Sequence, residues 1–162
     1  MKKIILLLAV LLIVGNVFSQ TRPTGKVKKA FKSKYENAEI IRWESETERN
    51  RVTIWKAMFK QDEVLSVAWY DPKANWIQTK TEIGKNELPP AVLKSIEESY
   101  QQYQIVIAAR FKNPETEGYE VFLSSSELDG FDVQFSKEGE MLNRTIRSGG
   151  YKPIDSDGSE ID

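Results

Sequence analysis

Hydrophobic positions along this chain change their spacing in a fixed order, and they do so twice. Val27, Ala30, Phe31 and Tyr35 recur at i, i+3, i+4 and i+8, one face of a helix. Thr24 precedes them as a candidate N-cap, and Lys26, Lys28, Lys29, Lys32 and Lys34 fill the solvent-facing positions. The spacing then drops to two, the period of a half-buried strand. Strands are predicted over Ala38–Ser45, Arg51–Lys60, Glu63–Tyr70 and Trp76–Glu82, with turns at Gln61-Asp62 and Asp71–Asn75. The order restarts at Pro89-Pro90, residues that suit a helix start. Val92, Ile96 and Tyr100 form its stripe, and strands follow over Gln104–Lys112, Tyr119–Ser124, Gly130–Phe135 and Glu140–Arg147. Asn113–Gly118 and Leu128-Asp129-Gly130 are read as turns between them.

The two series align at an offset of 65 residues. Val27, Lys29, Tyr35 and Ile40 meet identical residues at Val92, Lys94, Tyr100 and Ile105. A one-residue shift then brings Trp55, Ala57 and Phe59 onto Tyr119, Val121 and Leu123, as an indel in a hairpin would. Internal repetition of this kind points to two copies of one unit. One helix buries a four-stranded sheet poorly, whereas two units joined edge to edge share a core. The predicted fold is α+β: two tandem helix-plus-four-antiparallel-strand repeats sharing a sheet, both helices on one face. The other face is then open to solvent or to a partner. The repeats are placed at 20–84 and 85–147, with Gly84–Glu87 as the joint.

The ends follow different rules. Lys2 and Lys3 precede an apolar run over Ile4–Val14, and Val17 and Ser19 occupy small-residue positions before Gln20. That is the pattern of a signal peptide over 1–19, shorter than a membrane span and without the Cys of a lipoprotein anchor. The expected location is the periplasm or outside the cell, with no membrane span after cleavage. Residues 148–162 read as a flexible acidic tail. Its Asp155-Ser156-Asp157-Gly158 run has part of a calcium-loop pattern, but Pro153 stands where the first acidic ligand belongs.

Composition narrows the chemistry. Of 162 residues, none is Cys and none is His. Cysteine or histidine catalysis, Cys/His zinc sites and disulfides are therefore excluded. Losing Lys2 and Lys3 takes the net charge from −1 to −3, which argues against a nucleic-acid partner. Glu44, Glu46 and Glu48 are the nearest thing to paired catalytic carboxylates, and Ser124-Ser125-Ser126 to a nucleophile. Neither comes with a nucleophile elbow or an oxyanion loop. The chain is expected not to be an enzyme, and to need no catalytic residue, metal or cofactor.

Val27-x-x-Ala30-Phe31-x-x-x-Tyr35-x-x-Ala38, Trp55-x-Ala57-x-Phe59, Trp69-Tyr70-Asp71 and Asn75-Trp76 together resemble the β-lactamase-inhibitor-like, PepSY-like family. Glu87–Val92 resembles the start of that family's second repeat, and the likeness runs from Pro23 to Ile146. Phe135–Gly139 departs from the family's aromatic-Asp-x-x-Gly turn. The resemblance implies a secreted Bacteroidetes-type protein with a fold like that of β-lactamase inhibitor protein. It does not imply that a β-lactamase is inhibited, because fold and function separate easily.

The family's core set takes Trp55, Ala57, Phe59, Ala68 and Tyr70, which leaves Val52, Ile54, Met58, Leu65, Val67 and Trp69 on the opposite face. The corresponding face of the second repeat carries Glu120, Ser124, Asp132 and Gln134, with Phe122 as the apolar exception. An open face apolar in one half and polar in the other is expected. Apolar patches of that kind mark interaction sites, and Trp and Met anchor them. The predicted partner-binding residues are Ile54, Met58, Val67, Trp69 and Trp43, although Trp43 can join either face. The expected partner is a periplasmic or surface protein. A small ligand or glycan on the same aromatics, or a homodimer mate, are the other occupants the pattern allows.

Overall fold

Thr24 starts the first helix as its spacing predicts: its hydroxyl accepts from the Val27 N–H at 3.4 Å, and α1 runs over Gly25–Lys34. Lys32 and Lys34 lie in the last turn, where cations suit the helix dipole. The computed structural model describes residues 22–47, 52–125 and 129–148. The expected signal segment, Glu48, Ser126 and the acidic run Asp155–Gly158 lie outside the described residues.

Four strands follow α1: β1 (Glu39–Thr47), β2 (Thr53–Gln61), β3 (Val64–Tyr70) and β4 (Trp76–Ile83). A 3-10 turn, Lys85–Glu87, leads into α2 (Pro90–Ser99), which has proline in its first turn. Then come β5 (Gln104–Lys112), β6 (Glu117–Ser124), β7 (Asp129–Phe135) and β8 (Met141–Ser148). All eight strands form one antiparallel sheet in sequence order. This is the mixed helix-and-sheet architecture that the change of period predicts.

The differences are local. The β2–β3 turn sits one residue later than expected, on Asp62 and Glu63, both left-handed at φ 52° and 63°. No Asn-Gly or Asp-Gly pair marks it in the sequence. Asp129 and Gly130 belong to β7, not to a turn, and Ser148 closes β8 instead of opening a tail. The Asp71–Asn75 turn is as predicted: Asp71 accepts from the Asn75 backbone N–H at 2.8 Å and from its side-chain amide at 2.7 Å.

The expected single core is divided. α1 lays Val27 and Phe31 onto Ala57, Phe59, Ala68 and Tyr70, with Trp43, Trp55 and Trp76 around them. Phe31 is the hub: its ring lies 5.0 Å from Phe59, 5.1 Å from Tyr35 and 5.5 Å from Trp43. α2 lays Val92, Ile96 and Tyr100 onto Ala108, Val121, Leu123, Val133 and Phe135. Between the clusters the pairs Thr79↔Lys112 and Thr81↔Arg110 join β4 to β5, so the seam is polar where a shared core would need apolar side chains. Ser95 ties α2 to the β7–β8 turn by donating to the Gly139 carbonyl at 2.7 Å. Among the described residues no helix is long and apolar enough to cross a membrane.

Tyr70 is 1% exposed, and its hydroxyl has no hydrogen-bond partner among the described residues. Burial, and secondarily the charge of Tyr35, pushes its pKa well above the ordinary tyrosine range. Tyr35 is raised too, by burial, against hydrogen bonds to Thr79 and Trp76 that lower it. Both phenols keep their protons more tightly when folded, so their contribution is complete below the ordinary value of about 10 and is lost as pH rises above it. Tyr70→Phe is therefore expected to raise stability by about 1 kcal/mol at pH 7 and to flatten the loss above pH ~10, read by urea denaturation across pH. Phe31→Ala should cost about 3–5 kcal/mol in the same measurement.

Candidate functional site

The sheet face turned away from Phe59 and Val121 is built by strand alternation. β2 and β3 place Ile54, Lys56, Met58, Lys60, Leu65, Val67 and Trp69 there, with Met58 opposite Val67 and Lys56 opposite Trp69. β4 adds Gln78, Lys80 and Glu82. Pairing carries the same side through Ala109 and Phe111 of β5 to Gly118, Glu120 and Phe122 of β6, then to Asp132 and Gln134 of β7 and Arg147 of β8.

The predicted residues divide. Ile54, Met58, Val67 and Trp69 share this face, whereas Trp43 does not. The register shift between Ile40 and Arg42 sets Trp43 opposite Ala57, against Phe31 in the α1 core. Met58 is only 7% exposed, so it supports the patch from beneath. Ile54, Val67 and Trp69 are half-buried and present apolar surface. The expected contrast between an apolar and a polar half is present but softened by interleaving. Lys56 and Lys60 separate the apolar residues of β2, and Phe111 and Phe122 bring apolar rings to the other half. Those two rings are nearly fully buried because each lies over a glycine of the next strand. A Cβ on Gly118 would come 2.9 Å from the Phe111 ring, and one on Gly130 2.5 Å from the Phe122 ring. Aromatic cover of a sheet glycine fills the gap and fixes the ring.

Charged groups on the face are held in place. Lys80 on β4 reaches across β5 to pair with Glu120 on β6. The small Ala109 stands opposite Glu120 on the strand between them. Glu120 is 8% exposed and also accepts from the Gln134 amide at 2.7 Å. The Lys80 ammonium lies 5.5 Å from the Trp69 ring centre, so the ion pair and the indole ring are neighbours. Arg147 makes a two-pronged contact with Asp132 at 2.8 and 2.6 Å, and its guanidinium lies 4.5 Å from the Phe122 ring. Sequence reasoning missed Lys80 and Arg147, since their partners lie 40 and 15 residues away.

Glu44 and Glu46, the two catalytic candidates among the described residues, are engaged in ion pairs. Glu44 meets Arg42 at 2.7 Å, and Glu46 meets Lys56 at 2.6 Å. The Lys56 hydrogen bond and charge hold the Glu46 carboxyl below its ordinary range, which keeps it ionised. Ser124 lies on β6 and is 8% exposed. Among the described residues no three acidic side chains gather into a metal-sized cluster.

With this geometry in view, the likeness to known proteins is specific. The profile of the β-lactamase-inhibitor-like, PepSY-like family matches residues 53–143, more than half of the chain. The chain belongs to that family. The match runs from β2 into β8; α1 and β1, which the expected likeness from Pro23 included, lie outside it. A BLIP-like protein from Bacteroides fragilis is 26% identical, with a TM-score of 0.63 over 80% of this chain and 90% of that one. A DUF2874 family protein from Bacteroides uniformis is 19% identical, with a TM-score of 0.66 over 77% and 90%. A protein from Bacteroides eggerthii described as periplasmic is 18% identical, with a TM-score of 0.65 over 80% and 93%. No curated protein matches significantly. This PepSY-like chain thus shares its fold with that Bacteroides group.

In this PepSY-like sheet, Glu120 depends on Lys80 for charge compensation. Lys80→Met should cost about 2 kcal/mol by stranding a buried carboxylate, and adding Glu120→Gln should restore most of the loss. Thermal and urea denaturation of the two variants measure both effects.

Proposed function

We propose that this PepSY-like protein is an exported, non-enzymatic binding module whose open sheet face receives another periplasmic or surface protein, in the manner of an inhibitor. The carrying observation is that face itself. Ile54, Val67 and Trp69 offer half-buried apolar surface beside Lys80, whose charge is fixed by Glu120 and by the Trp69 ring. Interfaces anchor on aromatic residues within a rim of ordered polar groups. The family's inhibitor-like description and the BLIP-like neighbour support the same reading. Export agrees with the leader pattern of the sequence and with the periplasmic description of the B. eggerthii neighbour.

The reading includes two tandem repeats, 20–84 and 85–147, sharing the sheet with both helices on one side. Register supports it. Directly paired residues point the same way, and pairing runs Ala57↔Ala68↔Thr79 under α1. It continues through Thr81↔Arg110 and Ile83↔Ala108 to Val121 under α2. The side left uncovered is then the whole face described above. A protein without Cys or His that displays such a surface is suited to occupy an enzyme more than to be one.

Affinity capture tests the proposal. Immobilised protein should retain a defined protein from native envelope extract, and Ile54→Ala with Trp69→Ala should reduce retention by about tenfold or more. Circular dichroism checks that both proteins are folded. Nothing retained, or equal retention by the double variant, would overturn the sheet-face reading. Sugar-dependent quenching of Trp69 fluorescence would put a glycan on the face instead, and a doubled solution mass abolished by Trp69→Asp would put a second copy there.

A further inference from the structure

The opposite side of the β4–β5 seam holds a cleft of about 480 Å³, a volume suited to a small ligand. Its floor is fixed. Thr79 bonds the Tyr35 hydroxyl and accepts from the Trp76 indole N–H at 2.8 Å. Its rim is strongly unbalanced in charge. Lys34, Arg110, Lys112 and Lys137 line it, and Glu117 is the one carboxylate among the described lining residues. The whole chain carries a net charge of −1, so this excess of cations is local and contrary to the overall balance.

Those cations are only partly compensated. Lys137 and Lys112 share the same carboxylate, Lys112 at 3.5 Å. Hydrogen bonding and charge from Lys137, then the charge of Lys112, hold Glu117 below its ordinary range, so it stays ionised and counts as one negative charge. Arg110 reaches Glu87 only at 3.9 Å, and Lys34 lies over the Trp76 ring at 3.7 Å. A concave site with one sign of charge concentrates the opposite sign. An arginine fork with lysines beside it fits planar or multivalent oxyanions.

We infer that this cleft binds a small multivalent anion, bearing carboxylate or phosphate groups, held by Arg110 and Lys112 with Lys34 and Lys137 at its margins. The site is separate from the sheet face, and its failure would leave that proposal standing. The cleft is larger than a single inorganic ion requires, so a ligand with two or more charged groups is the class it takes.

Trp76 supplies the readout. In ¹⁵N-labelled protein its indole resonance is identified by Trp76→Phe, and Trp69 on the other face serves as the internal reference. Titration with citrate and with pyrophosphate, against acetate as the monovalent control, should move the Trp76 signal with a Kd below about 1 mM at low salt, weakening as salt is added. Arg110→Gln with Lys112→Gln should raise that Kd by about tenfold or more. A response to citrate alone makes the ligand a polycarboxylate, and one to pyrophosphate alone makes it a phosphorylated molecule. A Trp76 signal unmoved by about 10 mM of either probe, well above the mM range of weak binding, would overturn the inference. So would an equal shift in the double variant, or one matched by acetate or at Trp69.

Discussion

The β4–β5 seam is the constraint on which the rest of the molecule depends. Five residue pairs, from Thr79↔Lys112 to Ile83↔Ala108, join the strands under α1 to the strands under α2. Backbone hydrogen bonds carry the sheet across a line whose helix-side residues Thr79, Thr81, Arg110 and Lys112 are polar, with Ile83↔Ala108 as its apolar end. Each helix therefore has its own apolar cluster, and the seam is held by its ladder and by contacts that span it. Lys80 to Glu120 is such a contact, a bond between β4 and β6 that passes over β5. The same polar line produces both surfaces of interest. On one side Lys80 sits beside Trp69; on the other, uncovered cations line a cleft.

Dividing the core has a mechanical consequence. A buried aromatic hub such as Phe31 fixes α1 to β2 and β3, and Tyr100 and Phe135 fix α2 to its own strands. Between the halves, Ile83 of β4 packs against the α2 cluster, and the seam ladder and cross-strand ion pairs complete the connection. Glu120 is nearly buried and has two donors, so its bonds with Lys80 and Gln134 act where water competes weakly. The exposed pairs Lys94–Glu98 and Lys112–Glu117 lie in water and contribute little to that connection.

Much of this was legible in the sequence because it depends on period. The stripe Val27, Phe31, Tyr35 and its counterpart Val92, Ile96, Tyr100 located both helices, and alternation located all eight strands within about two residues. Alternation also put Ile54, Met58, Val67 and Trp69 on one face. What escaped depends on register and on three-dimensional neighbours. A bulge in β1 decides which side Trp43 takes, and nothing in Ile40–Trp43 marks it. The Asp62-Glu63 turn uses left-handed residues that carry no glycine signal. Lys80–Glu120 and the Arg110, Lys112, Lys137 rim are brought together by pairing across a sheet, which spacing along the chain does not encode.

The open face is better suited to selectivity than to raw hydrophobic affinity. Two of its aromatic rings, Phe111 and Phe122, are spent on covering glycines and are almost withdrawn from solvent. What remains for a partner is the half-buried area of Ile54, Val67 and Trp69, interrupted by lysines. Affinity on such a surface comes from groups that need little ordering on contact, since immobilising long side chains costs about 0.5–1.5 kcal/mol each. Lys80 and Arg147 are already immobilised, one by Glu120 and one by Asp132. A partner that matches their positions meets charges at fixed points, and one that does not must break those internal pairs or leave its own polar groups unmatched. In the proposed binding role, the face would discriminate by position of charge around a modest apolar centre, a property that follows from strand register as much as from residue type.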